Sequence, residues 1–271
     1  MRASAAAKIN LALIVGPPRK DGKHELMTVY QRIGIADRID VEPAERTRVD
    51  GFGGDTLVRD ALELLAVHAA IDHRWRARIE KHIPVAAGLG GGSSDAATAL
   101  QLANGTLDEP LPHEELHDVA AKLGADVPFF LVDGPRLGSG DGTTLAAIDL
   151  PQDFWIVLVL PRSAHKPSTA SVYAAFDERN GAEGWDDRRS ALLDALERVK
   201  RPRDLATLPA NDLASSPLAE ELIARGAFRA DVSGAGPTVY GLFHHEAHAK
   251  AAKRALRGVG QTWLTAPAWY G

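Results

Sequence analysis

The stretch PVAAGLGGGSSDAATAL, Pro84 to Leu100, holds the densest set of residues that could do chemistry. Gly88, Gly90, Gly91 and Gly92 crowd together, two serines and an aspartate follow, and an alanine-rich run comes next. Glycines let backbone N–H groups turn inward around an anion, because no side chain blocks the approach. A helix opening at the serines adds unpaired N–H groups and the positive end of its dipole. Ser93 and Ser94 could offer hydroxyls to a phosphate, or an oxygen to Mg²⁺. No Lys-Ser or Lys-Thr pair closes the stretch, so it is not a P-loop. Ser93 stands where the dinucleotide fingerprint has its third glycine. A flexible turn is the plain alternative, but a linker has no reason to sit tightly between a strand and a capped helix. The pattern predicts a phosphate-holding loop of a third kind.

Two charged residues stand out. Lys8 shares a strand face with Asn10 in the otherwise apolar run AKINLALIV. Most lysines on such a face are simply solvated, but these neighbours favour a buried polar role. Asp126 follows Gly124, which ends a helix, and precedes Pro128, so its backbone is pinned. Such an aspartate is often an ordinary turn residue. One held at the edge of the apolar VPFFLV could instead accept a proton from a substrate hydroxyl. HEELH, His113 to His117, matches a zinc-protease pattern. His113 would lie in a fraying first turn after Pro112 with no clear third ligand, so an amphipathic surface helix explains it better. SGAG, Ser233 to Gly236, is a second glycine turn, either a plain hairpin or a loop closing over a substrate.

These residues need elements to hold them. Ile9, Leu11, Leu13 and Val15 alternate with Lys8, Asn10 and Ala12, which predicts a strand with one apolar face. GPPRKDG then turns the chain. ELMTVYQRIGI and DRIDVEP read as two strands with a break near Ala36 and Asp37. Asp55 and Thr56 could cap a helix through LVRDALELLAVHAA. RWRARIEKHI is a strand leading into the glycine loop, and SSDAATALQLANG is a capped helix leaving it. PHEELHDVAAKLG is a helix stopped by Gly124. A pattern restart near Pro151 divides the chain into 1–150 and 151–271. The second half reads as a strand (FWIVLVL), helices, a strand pair around SGAG, a helix and a last strand. Helices over one side of a mostly antiparallel sheet in each half is an α+β fold.

Totals narrow the function classes. The chain has 271 residues, 45% hydrophobic and 25% charged, which suits a soluble globular protein. A net charge of −5 without a long basic block argues against nucleic acid as partner. With no cysteine, disulfides, thiolate metal sites and cysteine nucleophiles are excluded. Lys8 and Asn10 interrupt the apolar opening, so it does not read as a signal peptide. FWIVLVL is far too short to span a bilayer. The expected compartment is the cytoplasm, with no membrane partner.

Taken in order, AKINLAL, DGKHELMTVYQ, PVAAGLGGGSSDAATAL, GADVPFF, NDL and SGAGPT resemble the GHMP small-molecule kinase superfamily over nearly the whole chain. GLGGGSSDAA and GADVPFF together are specific. The similarity is greatest to the branch acting on 4-diphosphocytidyl-2-C-methyl-D-erythritol in non-mevalonate isoprenoid synthesis. The resemblance implies a ribosomal-protein-S5-like N-terminal domain and a ferredoxin-like C-terminal domain. It implies ATP, with Mg²⁺, as phosphoryl donor to the 2-hydroxyl of that small molecule. It makes Asp126 the base and Lys8 its electrostatic partner. Pro84, Val85, Ala86, Ala87, Gly88, Leu89, Gly90, Gly91, Gly92, Ser93 and Ser94 would hold the phosphates, Ser94 with a possible Mg²⁺ contact. Lys81 matches a position near adenine. Asn10, His24, Thr169 and Tyr173 match substrate contacts, with His24 facing the cytosine and Tyr173 serving as a platform. Two positions depart from the pattern: Lys23 stands where a base-stacking tyrosine is usual, and Thr56 where an asparagine is usual. Lys23 keeps open another alcohol, such as mevalonate or homoserine. A nucleotide-binding module without catalysis is the reading from a different class.

Overall fold

The computed structural model describes residues 1–54, 56–162 and 168–268. Two long strands make its frame. β1 (Arg2–Pro18) and β2 (His24–Pro43) pair antiparallel along almost their whole length. The other edge of β2 is shared: β5 (Arg136–Gly140) takes its first part and β4 (Trp75–Glu80) its last. The short β3 (Arg48–Asp50) runs parallel to β4, and β6 (Thr144–Ala147) closes a hairpin with β5. The expected pair of strands over 25–43 is thus one strand of 20 residues. The break expected near Ala36 and Asp37 survives only as an irregularity: Ala6 pairs with Ala36, whereas Ala7 pairs with Ile33.

β1 is not a strand with one apolar face. Ala5 through Gly16 are all buried. Ala7, Ile9, Leu11 and Ile14 join a core with Phe154, Ile156, Leu158 and Tyr240 of the second half. Lys8 and Asn10 point the other way and are also buried. Buried charge survives only with partners, so the strand itself demands a polar site on that side.

α1 (Leu57–His68), α2 (Gly91–Asn104) and α3 (His113–Leu123) pack around one core with Trp75, Ile79 and Phe129. Asp55, expected to share the cap of α1, lies outside the described residues. Thr56 holds the N-cap position without a side-chain cap bond. α2 is buried nearly all round, and its alanines let it lie close on β1 and β2. The second half has a four-stranded antiparallel sheet. Its order is β10 (Gly260–Thr265), β7 (Trp155–Pro161), β9 (Val239–Phe243) and β8 (Arg229–Val232). α5 (Trp185–Arg198), α6 (Pro217–Ala224) and α7 (Glu246–Ala255) pack against it, whereas α4 (Thr169–Glu178) sets Val172 and Phe176 against Leu13, Val15 and Leu26 of β1 and β2. No helix among the described residues is long and apolar enough to cross a membrane.

Candidate active site

A cavity of about 530 Å³ lies between the halves. From the first half it is lined by Lys8, Asn10, Tyr30, Lys81, Asp126 and every residue from Pro84 to Ser93. From the second it takes Thr169, Tyr173, Leu213 and Gly234 to Gly236.

Lys8 lies in the floor and is 3% exposed. Its Nζ donates to Asn10 Oδ1 at 2.7 Å and sits 3.1 Å from Asp126 Oδ2. Asn10 passes the network on, donating to Thr28 Oγ1 at 2.7 Å, and Thr28 donates to the Ala12 carbonyl. Asp126 comes from the tight turn between α3 and a 3-10 turn, Pro128–Leu131. Its other oxygen, Oδ1, accepts the Tyr30 hydroxyl at 3.0 Å. Its side chain is 31% exposed, so the carboxylate meets both the buried network and the open cavity.

The glycine stretch joins β4 to α2, as expected. Gly90 is the N-cap of α2 at φ 69°, without a side-chain cap. The first N–H groups of a helix have no intrahelical partner, so here they face a cavity. A Cβ at Gly90 would come within 2.9 Å of Lys8 Cγ; only glycine lets the loop lie on the lysine. The Lys8 backbone also donates to the Leu89 carbonyl at 2.9 Å. Ser93 lines the cavity, whereas Ser94 is 1% exposed and is not brought into its wall. SGAG docks on the loop from the other half. Ser233 Oγ donates to the Gly88 carbonyl at 2.9 Å, and the Thr238 N–H to the Ala87 carbonyl at 3.2 Å. Asn211, from the NDL stretch, holds SGAG from behind through the Val232 and Gly234 carbonyls.

Lys81 lines the cavity with its charge already engaged. Its Nζ lies 2.5 Å from Asp37 Oδ2 and 2.7 Å from Asp95 Oδ2, two carboxylates with no exposed surface. Asp37 Oδ1 also accepts the backbone N–H groups of His82 and Ile83. Burial pushes the Asp95 carboxyl up to about 8, even with Lys81 beside it, and its Oδ1 has no hydrogen-bond partner. Burial by itself would lower Lys81, but the two carboxylates outweigh it and raise it. The cluster ties β2, the end of β4 and the second turn of α2 together under the loop.

On the far side, His24 stacks near Tyr173 with ring centres 5.0 Å apart, and its Nε2 lies 2.8 Å from Asp177 Oδ1. Thr169 opens α4 and Tyr173 lies one turn on, both in the cavity wall. Lys23 reaches away to Asp141 at 2.6 Å. Burial would raise Asp141, but bonds from Lys23 and Thr143 hold it down at about 2.

Tyr30, Asp37 and Asp95 carry no local mark of their role in the sequence. A lone tyrosine in a hydrophobic strand and an aspartate at an apparent break carry no chemistry until their partners are known. His117 Nε2 lies 3.0 Å from the Thr143 carbonyl oxygen. No group of three or more His, Asp or Glu that could hold a metal occurs among the described residues.

The GHMP kinases N terminal domain family matches residues 56–134, and the GHMP kinases C terminal family matches 213–262. The 4-diphosphocytidyl-2-C-methyl-D-erythritol kinase of Gloeobacter violaceus is 37% identical, over 95% of this chain and 90% of its own. That of Geobacter metallireducens is 36% identical, over 97% of this chain and 96% of its own. A crystal structure of 4-(cytidine 5'-diphospho)-2C-methyl-D-erythritol kinase superposes with a TM-score of 0.78 at 32% identity, covering 99% of this chain and 100% of that one. A mevalonate kinase structure superposes at 0.74 with 13% identity, a likeness of fold alone. The chain therefore belongs to the GHMP kinase family.

Proposed function

We propose that this kinase transfers the γ-phosphoryl group of ATP to the 2-hydroxyl of 4-diphosphocytidyl-2-C-methyl-D-erythritol, in the cytoplasm. One observation carries the chemistry: a buried lysine and a cavity-facing aspartate meet at 3.1 Å beneath a glycine loop that opens a helix. Phosphoryl transfer needs an aligned hydroxyl and charge stabilisation more than covalent help. Asp126 accepts the proton of the acceptor hydroxyl as its oxygen bonds to the γ-phosphorus. The bond from that phosphorus to the leaving diphosphate breaks, and the electron pair leaves with the diphosphate oxygen. Lys8, 3.1 Å from Asp126, offsets negative charge on the carboxylate and on the reacting oxygens. Backbone N–H groups between Val85 and Ser93 hold the triphosphate.

Mg²⁺ supplies neutralisation of the phosphate charges when bound. The donor set suits an ion held chiefly by the phosphates, with the Ser93 hydroxyl in the cavity wall as the loop's own oxygen. Residues 1–150 contribute the nucleotide side, with Lys81 near the adenine. Residues 151–271 contribute Thr169 and Tyr173 to the substrate side, which also takes Asn10, with His24 packed beside Tyr173 outside the cavity wall. The substrate choice is supported by relatives 36–37% identical over nearly the whole chain, against 13% for the mevalonate kinase. ADP release from Mg-ATP, measured beside mevalonate and homoserine, tests it. Turnover confined to the cytidyl alcohol supports the reading; turnover confined to another alcohol overturns the substrate.

A further inference from the structure

We propose that Tyr30 is a positioning residue for the transfer: its hydroxyl fixes the Asp126 carboxylate so that Oδ2, beside Lys8, is the oxygen that takes the proton. This rests on Asp126 being the base. The terminal torsion of an aspartate is broad, and one point charge can hold either carboxylate oxygen. A second donor, on Oδ1 at 3.0 Å, removes that freedom.

The tyrosine is itself built in. It comes from the part of β2 that pairs with both β1 and β5, opposite Asn10 on one side and Arg136 on the other. Its ring stacks on Phe129 with centres 4.8 Å apart at 22°. Space for it is cleared by glycine on the β5–β6 hairpin. A Cβ at Gly138 would lie 2.7 Å from Tyr30 Cε2, and one at Gly142 would lie 3.1 Å from the hydroxyl. Only 2% of the residue is exposed, so the hydroxyl reaches the carboxylate from the protein side. The cavity side stays open to the acceptor alcohol. Burial, with the Asp126 charge adding to it, holds the phenol well above its ordinary pKa, so it remains a donor throughout the working range.

Tyr30→Phe keeps the ring and its stack and removes only the donor. The expected result is a kcat lower by roughly ten-fold, the scale of one hydrogen bond to a charged group. Both KM values stay within about two-fold and the melting temperature stays near the parent's, since ring packing is unchanged. The loss falls on kcat with both KM values held, a split that a packing role would not give. An unchanged kcat overturns the proposal. So does a fall in melting temperature with both KM values raised, which would mark a packing role alone. Asp126→Asn, assayed beside it, separates the two levels. If that variant is inactive, Tyr30→Phe alone decides the matter. If it turns over like the parent, Asp126 is not the base, and this proposal fails with that assignment while the kinase activity stands.

Discussion

Gly88→Ala tests whether the two glycine loops are locked to each other. At φ 80° Gly88 is in the left-handed region, where a Cβ costs about 1–2 kcal/mol. That Cβ would also lie 2.5 Å from the Ser233 carbonyl oxygen and 2.8 Å from that of Gly236. Both are backbone atoms, so one loop must retreat rather than a side chain rotate. Overpacking of this kind costs typically 1–3 kcal/mol. The sum is roughly 2–5 kcal/mol, and at about 2–4 °C per kcal/mol for a large domain the melting temperature should fall by roughly 4–20 °C. Gly92→Ala is the same chemical change with the opposite expectation. Nothing lies within 4 Å of its Cβ, and the residue is inside α2, so the apo protein should gain up to about 1 kcal/mol. Its methyl would nonetheless stand in the cavity wall where phosphates approach. Thermal melts with and without Mg-ATP read both effects, because the ligand-dependent rise reports affinity. A Gly88→Ala protein melting within about 1 °C of the parent would refute the docking argument. A Gly92→Ala protein that binds ATP as tightly as the parent would refute the phosphate cradle.

Asp95→Asn should flatten the pH dependence of stability. The carboxyl is raised from 3.8 to about 8 on folding, so the folded state binds more protons between those values. Its contribution is full below the lower value and is lost as pH rises through the upper one. Melts from pH 5 to 8 should therefore decline less in the variant, and an equal decline contradicts the assignment. Asn211→Ala removes two bonds to the carbonyls of Val232 and Gly234 and one from the Leu213 N–H, which should cost roughly 2–4 kcal/mol in a urea melt. Lys23→Tyr gives up an ion pair whose lysine is 53% exposed, so stability should change by less than about 1 kcal/mol. If the tyrosine stacks on the cytosine, KM for the cytidyl substrate should fall by roughly two- to ten-fold with KM for ATP unchanged.

What could be read from the residues alone was whatever local chemistry dictates. Crowded glycines before a run of small residues mean a loop and a helix, although the helix opens at Gly91 with Gly90, and no serine, at its N-cap. Lys8 and Asn10 share a face because strands alternate, and Asp126 is pinned by Gly124 and Pro128. The reading failed where distant partners decide. Asp37 looks like a strand break because an aspartate in a strand usually has no partner. Here Lys81, 44 residues away, and two backbone N–H groups satisfy it, so the strand runs on. Tyr30 meets Asp126 across 96 residues, and nothing near either one announces the other. β1 read as half apolar because a polar face normally means water; in this fold that face is the floor of the cavity.

Single-turnover transfer from labelled ATP to 4-diphosphocytidyl-2-C-methyl-D-erythritol, by the parent and by Asp126→Asn, tests the central claim most directly, with binding of both substrates measured separately. The expected result is product at the 2-hydroxyl from the parent. The variant should bind both substrates with unchanged affinity and lose at least about a hundred-fold in rate, the scale of a positioned base. Transfer by the variant at the parental rate would contradict the assignment of Asp126, and no transfer by the parent to this acceptor would contradict the assignment of the substrate.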